Sequence, residues 1–220
     1  MMSKHKSMLV NPRDILLVLS ILISIPTAAA DPEHLRNPSG DMGCTRLARI
    51  DYTRDCAAVD NLASLQRMQT GECVIMRVNA KSRWNASGLM LERGAAYHIS
   101  ELDTPENCWQ DASIVAKGEG WKNGGDVYLA CDSDKKVQLK KKWTIGALEW
   151  LRRYPEADWF TLIGMTGKAG CCTSEKEFII GRETDFIPEQ NAEFCAYAND
   201  LNFMYWNNSG ELTIKIERTH

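Results

Sequence analysis

Between Phe194 and Ile216 the chain gathers side chains able to hold a hard cation: Asp200, then the adjacent carboxamides of Asn207 and Asn208, followed by Ser209-Gly210. Calcium takes six to eight oxygens, mixed from carboxylates, amide carbonyls and the backbone. A β-type run on each side of this stretch would bring three side-chain oxygens onto one turn. Asn-Asn-Ser-Gly is also sound turn chemistry without any metal, because Asn and Gly tolerate positive φ. Trp206 lies inside the turn, and Trp109 and Trp121 lie in a second candidate loop. Those three are the expected exposed contacts for a ligand or partner, since Trp is favoured at binding hot spots.

Catalytic patterns are missing. There is no G-x-S-x-G, no H-E-x-x-H and no P-loop, and Gly164-Met-Thr-Gly-Lys168 is too short for one. A Ser or Cys nucleophile needs a partner base. His98 falls mid-strand, and His34 and His220 fall near the ends. A non-enzymatic binding protein is expected.

Eight cysteines, Cys44, Cys56, Cys73, Cys108, Cys131, Cys171, Cys172 and Cys195, make an even set without a C-x-x-C pair. Such a set behind a leader reads as disulfides rather than zinc. Cys44 with Cys56 and Cys108 with Cys131 are the plausible local loops. Adjacent Cys171 and Cys172 are expected to take different partners, because a vicinal bridge is strained.

The leader is residues 1–30. Lys4, Lys6 and Arg13 precede an uncharged apolar run from Ile15 to Ile25, and Pro26 and Ala28-Ala29-Ala30 follow. Basic, apolar and small-residue regions in that order describe a cleavable secretory signal peptide. The run is shorter than the ~20 residues a membrane span needs. Losing Lys4, Lys6, Arg13 and Asp14 with it takes the net charge from −3 to −5. An acidic chain is a poor nucleic-acid binder. The mature protein is expected to be periplasmic or secreted, without a membrane span.

Residues 31–71 read as an arm with one short helix over Asp55 to Met68, and residues 72–220 as the main domain. Cys73–Val78, Leu89–Leu91, Ala96–Ile99, Asp126–Cys131, Trp159–Gly164, Phe178–Ile180 and Phe194–Tyr197 are β-type runs. Asn85–Gly88 and Glu92–Gly94 read as turns between them. Leu212, Ile214 and Ile216 alternate with Thr213, Lys215 and Glu217, which marks a half-buried strand. Ile145, Leu148 and Leu151 predict a helix over Thr144 to Tyr154 within an insertion at about 118–158, after a lysine-rich loop from Lys135 to Lys142. The fold class is therefore all-β: a jelly-roll-like antiparallel β-sandwich with a short helical arm and one inserted helix.

Asp200-x6-Asn207-Asn-Ser-Gly210 followed by the last alternating strand resembles the small calcium-dependent galactose-binding lectins of pseudomonads and related galactose-binding-like sandwiches. Leu89-Met-Leu91-Glu-Arg-Gly94 is similar to a strand and turn of those lectins. Leu162-Ile-Gly164 with Gly167 is similar to their apolar strand. The resemblance runs loosely over residues 73–218. It implies calcium held by the side chains of Asp200, Asn207 and Asn208 and by main-chain oxygens near Leu91 and Met204. The lectins grip sugar hydroxyls with a His and a Gln from another loop. The corresponding region here, Trp109 to Asp132, has no histidine and is rebuilt with cysteines.

Two functions follow, the first the leading expectation and the second its alternative. In the first, the protein binds and neutralises a partner protein. Its layout of leader, disulfide-stapled domain and acidic surface is similar to periplasmic immunity proteins that block toxic type VI secretion effectors. In the second, it is a calcium-dependent carbohydrate-binding protein of galactose-lectin type. The first accounts for the missing sugar grip, the second for the retained Asp and Asn pair.

Overall fold

The computed structural model describes Cys44 and residues 46–48, 62–167 and 174–220, all within the unit Met42–His220. The expected leader, most of the expected arm, and Cys56, Cys171 and Cys172 lie outside the described residues.

The described part is an antiparallel β-sandwich. Along the chain run β1 (Arg46–Leu47), β2 (Cys73–Asn79), β3 (Asn85–Leu91), β4 (Tyr97–Glu101), β5 (Cys108–Asp111), β6 (Ile114–Ala116) and β7 (Asp126–Tyr128). They are followed by β8 (Lys136–Gln138), helix α1 (Trp143–Gly146), β9 (Leu162–Gly167), β10 (Ser174–Ile179), β11 (Glu183–Phe186), β12 (Ala192–Ala198) and β13 (Asn208–Arg218). The larger sheet has the order β1-β2-β13-β5-β6-β7-β8, with β4 also paired to β13 and β11 paired to β4. The smaller sheet is β10-β9-β12-β3.

β13 organises the larger sheet. Its length comes from the alternation seen in sequence, with Leu212, Ile214 and Ile216 fully buried. They meet Val74, Met76 and Val78 from β2, and across the sandwich Leu91, Leu162 and Phe194 from the smaller sheet. One face of β13 thus supplies the core while the other carries Thr213, Lys215 and Glu217. On one edge it pairs with β2, and on the other with β5 near its start and β4 near its end. At the β5 crossing the strands come so close that a Cβ on Gly210, at φ +84°, would stand 2.8 Å from the Cys108 carbonyl oxygen. Glycine is required there for both reasons.

Several expectations need correction. Asn85–Gly88 is not a turn but the first half of β3, entirely buried. Its polar side chains work inside the sheet: Asn85 donates to the carbonyls of Asn79 and Ala196, and Ser87 donates to that of Phe194. β3 is an edge strand, and Gln66 covers it by bonding Gly88 and Met90 through its backbone. Of the helix expected over Asp55 to Met68, the described residues show only a 3-10 turn at Leu62–Ser64. The helix expected over Thr144 to Tyr154 is one turn, α1, and then a 3-10 turn at Glu149–Leu151. Gly146 interrupts it, no side chain caps its start, and it has no buried apolar face. Part of the lysine-rich loop is strand β8.

Cys44 pairs with Cys73, not Cys56, and ties the residues next to β1 to the head of β2. Cys108 pairs with Cys131 as expected. Cys195 is disulfide-bonded as well. Among the described residues, no helix is long and apolar enough to cross a membrane.

β4 ends in a buried acid. Glu101 accepts from the Gly118 N–H at 2.9 Å and faces Arg182 Nε at 3.6 Å. Burial pushes its carboxyl up to about 7, against the opposing pull of that N–H and of Arg182. The fold therefore holds this proton more tightly than the unfolded chain does. The group's contribution is full below its unfolded pKa, near 4.5, and is lost as pH rises through about 7. Glu101→Gln keeps the acceptor for Gly118. Urea unfolding should find the variant about 2 kcal/mol more stable than the parent at pH 8 and no more stable at pH 4. Equal stabilities at pH 8 would contradict the assignment.

Candidate functional site

The turn between β12 and β13 folds as a compact unit. Asp200 is buried just past the end of β12. Its Oδ1 accepts from the Leu201 N–H at 2.6 Å. Tyr205 starts a 3-10 turn (Tyr205–Asn207) and donates to the Ala198 carbonyl at 2.6 Å, folding the turn back onto β12. Asn207 and Asn208 then arrive beside the carboxylate, as the sequence implied.

A second acid that sequence reading missed stands opposite. Asp111, the last residue of β5, pairs with Asn208 in the sheet register. The pairing of β5 with β13 brings it in, and nothing in its local sequence marks it out. The two acids and two amides interlock: Asn207 Nδ2 donates to Asp111 Oδ1 at 3.0 Å, and Asn208 Nδ2 donates to Asp200 Oδ2 at 3.0 Å and to the Ala80 carbonyl at 3.2 Å. Both amide oxygens, Asn207 Oδ1 and Asn208 Oδ1, are buried without a hydrogen-bond partner. Such orphans are rare, because each costs about 1–3 kcal/mol.

The electrostatics agree. Burial, and then the charge of Asp200, push the Asp111 carboxyl up to about 6, while the Asn207 amide pulls it down. The indole N–H of Trp121 is close enough to favour ionised Asp111 but is not in hydrogen-bonding geometry. Burial raises Asp200 too, against the pull of the Leu201 and Asn208 N–H groups. Two carboxylates thus share a site that resists holding both charges without a counter-ion.

Asp111, Asp200 and Asn207 line a cavity of about 270 Å3, walled by Trp121, Trp159, Ile145, Leu148 and Met204, with Lys142 at its side. Trp121 and Trp159 stack at 5.7 Å. Ala112 also lines it, at φ +53°, and its N–H bonds the Asn207 carbonyl. Met204 sits here as expected, its carbonyl accepting from the Asn207 N–H at 3.2 Å.

Other expected site residues fall elsewhere. Leu91 pairs with Ala192 at the opposite end of β12. Asp200 is eight residues further on, so roughly 20 Å or more separates the two at ~3.3 Å per strand residue. Trp109 is fully buried core, packed edge-on to Phe160 at 6.0 Å, because β5 turns it inward. Trp121 is buried too, but as a cavity wall. Trp206 is 70 % exposed beside the turn. His98 Nδ1 lies 2.9 Å from Asp185 Oδ1 on the sheet surface, beside Glu217 at the other end of β13 from Asp111.

Among the described residues, no three His, Cys, Asp or Glu side chains gather as a metal cluster. Two carboxylates with two carboxamides form instead a hard-oxygen donor set, suited to calcium rather than zinc. The two orphan amide oxygens fit such an ion. Rotating each amide would exchange N–H for oxygen at the carboxylates, and Asn orientation is the part of such a network most free to invert.

No family model matches the chain, and no curated protein matches it. Among solved structures, the chain is similar to one described as "EclA N-terminal domain; PllA-like lectin", with a TM-score of 0.39 and 12% identity, over 66% of this chain and 94% of that one.

Proposed function

We propose that the protein is a non-enzymatic, exported, calcium-dependent carbohydrate-binding protein. Its ion would be held by Asp111, Asp200, Asn207 and Asn208 with main-chain oxygens of the surrounding turns. The observation that carries this is the pair of buried, partnerless amide oxygens beside two carboxyls whose ionisation is disfavoured. Calcium would satisfy all four groups at once, and its six to eight coordination places leave room for sugar hydroxyls. The cavity is somewhat smaller than the ~300–1,000 Å3 typical of drug-sized ligands, which suits one sugar ring against the Trp121 wall. Two disulfides among the described residues support an oxidising compartment.

Calorimetric titration with calcium, followed by a glycan array with and without chelator, tests this. Saturable calcium binding and a calcium-dependent glycan signal are expected. Calcium must displace protons from Asp111 and Asp200, so its affinity should fall steeply as pH drops below about 6. No calcium binding at pH 7.5 would end this reading. Capture of a toxic effector by calcium-free protein would then restore the partner-protein reading, which no particular contact in the structure favours.

A further inference from the structure

The rim of this cavity continues outward into a surface that extends beyond the ion and sugar site. Lys142, Ile145 and Leu148 line the cavity from the insertion, and Leu201 and Met204 line it from the β12–β13 turn. Arg152 bridges to Leu201, joining the two segments. Flanking these lining residues are large apolar side chains left in water: Trp143 at 82 % exposure, Trp150 at 71 % and Phe203 at 66 %. Leu148 and Leu151 are partly exposed beside them. Exposed apolar groups gathered in this way mark an interaction surface.

The surrounding charge selects the partner. Lys140, Lys141 and Lys142 run directly into Trp143, all exposed, and no acidic residue lies between Lys135 and Leu148. The chain as a whole is acidic, at −3, so this lysine run, which ends before Glu149, stands against the overall charge. Lysine is depleted in protein–protein interfaces. Lysines beside Trp and Leu are instead the composition that seats at a lipid headgroup layer, where the indole lies at the polar–apolar boundary and the ammonium meets anionic lipid. One or two tryptophans would serve a sugar, whereas the leucines, Phe203 and the lysine run would not.

The segment is also held firmly enough to present these groups. Asn123 clamps Lys142 from both sides, accepting from its N–H at 2.9 Å and donating to its carbonyl at 2.8 Å. Gly124, at φ +85°, lets Lys141 pack against the backbone. α1 thus projects Trp143 from a fixed base.

We propose that this face docks on anionic bilayer surfaces, with Trp143, Trp150 and Phe203 in the headgroup layer and Lys140, Lys141 and Lys142 against anionic lipid. The contact is independent of calcium. Flotation with phosphatidylcholine vesicles containing 30 mol% phosphatidylglycerol (roughly one charged lipid in three), in chelator, reads it directly. Binding is expected to these vesicles and not to pure phosphatidylcholine, with a blue shift of tryptophan emission. Lys140→Glu/Lys141→Glu/Lys142→Glu should weaken partitioning at least about 100-fold, and Trp143→Ser/Trp150→Ser by a similar factor. Both variants alter exposed side chains and should keep the parent's melting temperature. Absence of binding to the anionic vesicles overturns the proposal, as does equal binding to neutral ones. Loss of glycan signal in the tryptophan variant with unchanged vesicle binding overturns it too, and assigns the face to an extended glycan. Because chelator is present throughout, failure here leaves the calcium reading intact, and failure of calcium binding leaves this one intact.

Discussion

Replacing Asn199 with alanine is expected to lower stability by about 4 kcal/mol, the largest effect of any single polar side chain described here. Asn199 is fully buried at the end of β12. Its Nδ2 donates to the carbonyls of Tyr154 at 2.8 Å, Ala157 at 3.2 Å and Asp158 at 3.0 Å, and its Oδ1 accepts from the Tyr154 N–H at 3.0 Å. Truncation strands the Ala157 carbonyl and the Tyr154 N–H, each at about 1–3 kcal/mol less what an entering water recovers, and leaves the Tyr154 and Asp158 carbonyls only their bonds from the Ala157 and Thr161 N–H groups. Asn199→Asp should be at least as harmful, because a carboxylate can donate to none of the three carbonyls. Urea denaturation measures both, and a loss under about 1 kcal/mol for Asn199→Ala would refute the staple. The affected segment, 154–158, is the return of the insertion, so the cavity wall at Trp159 should loosen with it.

Asp200→Asn is expected to separate binding from stability. Removing one of two carboxylates should weaken calcium at least about 100-fold, since affinity follows ligand charge. The calcium-free fold should respond oppositely. Without the neighbouring charge, Asp111 moves back toward the ordinary carboxylate range and ionises with less penalty at pH 7. The new carboxamide can still accept from Leu201, and rotation of the Asn208 amide, which exchanges its bond to the Ala80 carbonyl, turns the stranded oxygen toward the new N–H. The variant should therefore be as stable as the parent or slightly more so in chelator, yet gain no melting temperature from calcium. A variant that unfolds in chelator, or one that binds calcium like the parent, would show that Asp200 serves packing alone.

Much of this was legible in the chain itself. The alternation at Leu212, Ile214 and Ile216 marks β13, and Asp200, Asn207, Asn208 and Met204 do meet on one turn. Those features are local, and a short window of sequence carries them. What was not legible depends on pairing. β5 is four residues long and shows no full period, so neither the inward turn of Trp109 nor the arrival of Asp111 could be read. Leu91 was misplaced because a main-chain oxygen has no residue type by which to recognise it. Asn85 and Ser87 look like turn residues until the sheet around them supplies partners. Apolar spacing from Ile145 to Leu151 suggested a helix, but spacing says nothing of whether a surface exists to receive that face.

The position of β13 bears on the order of assembly. It touches β2, β4 and β5 at once, and its partners begin at residue 73, so the register from Thr213 back to Arg77 spans most of the described chain. During synthesis the larger sheet has no central strand until residues 208–218 have emerged. Up to that moment β2 and β4 are exposed edges, open to wrong partners. Contacts so distant along the chain make for slow closure. That delay defines the interval in which the chain is most prone to aggregate.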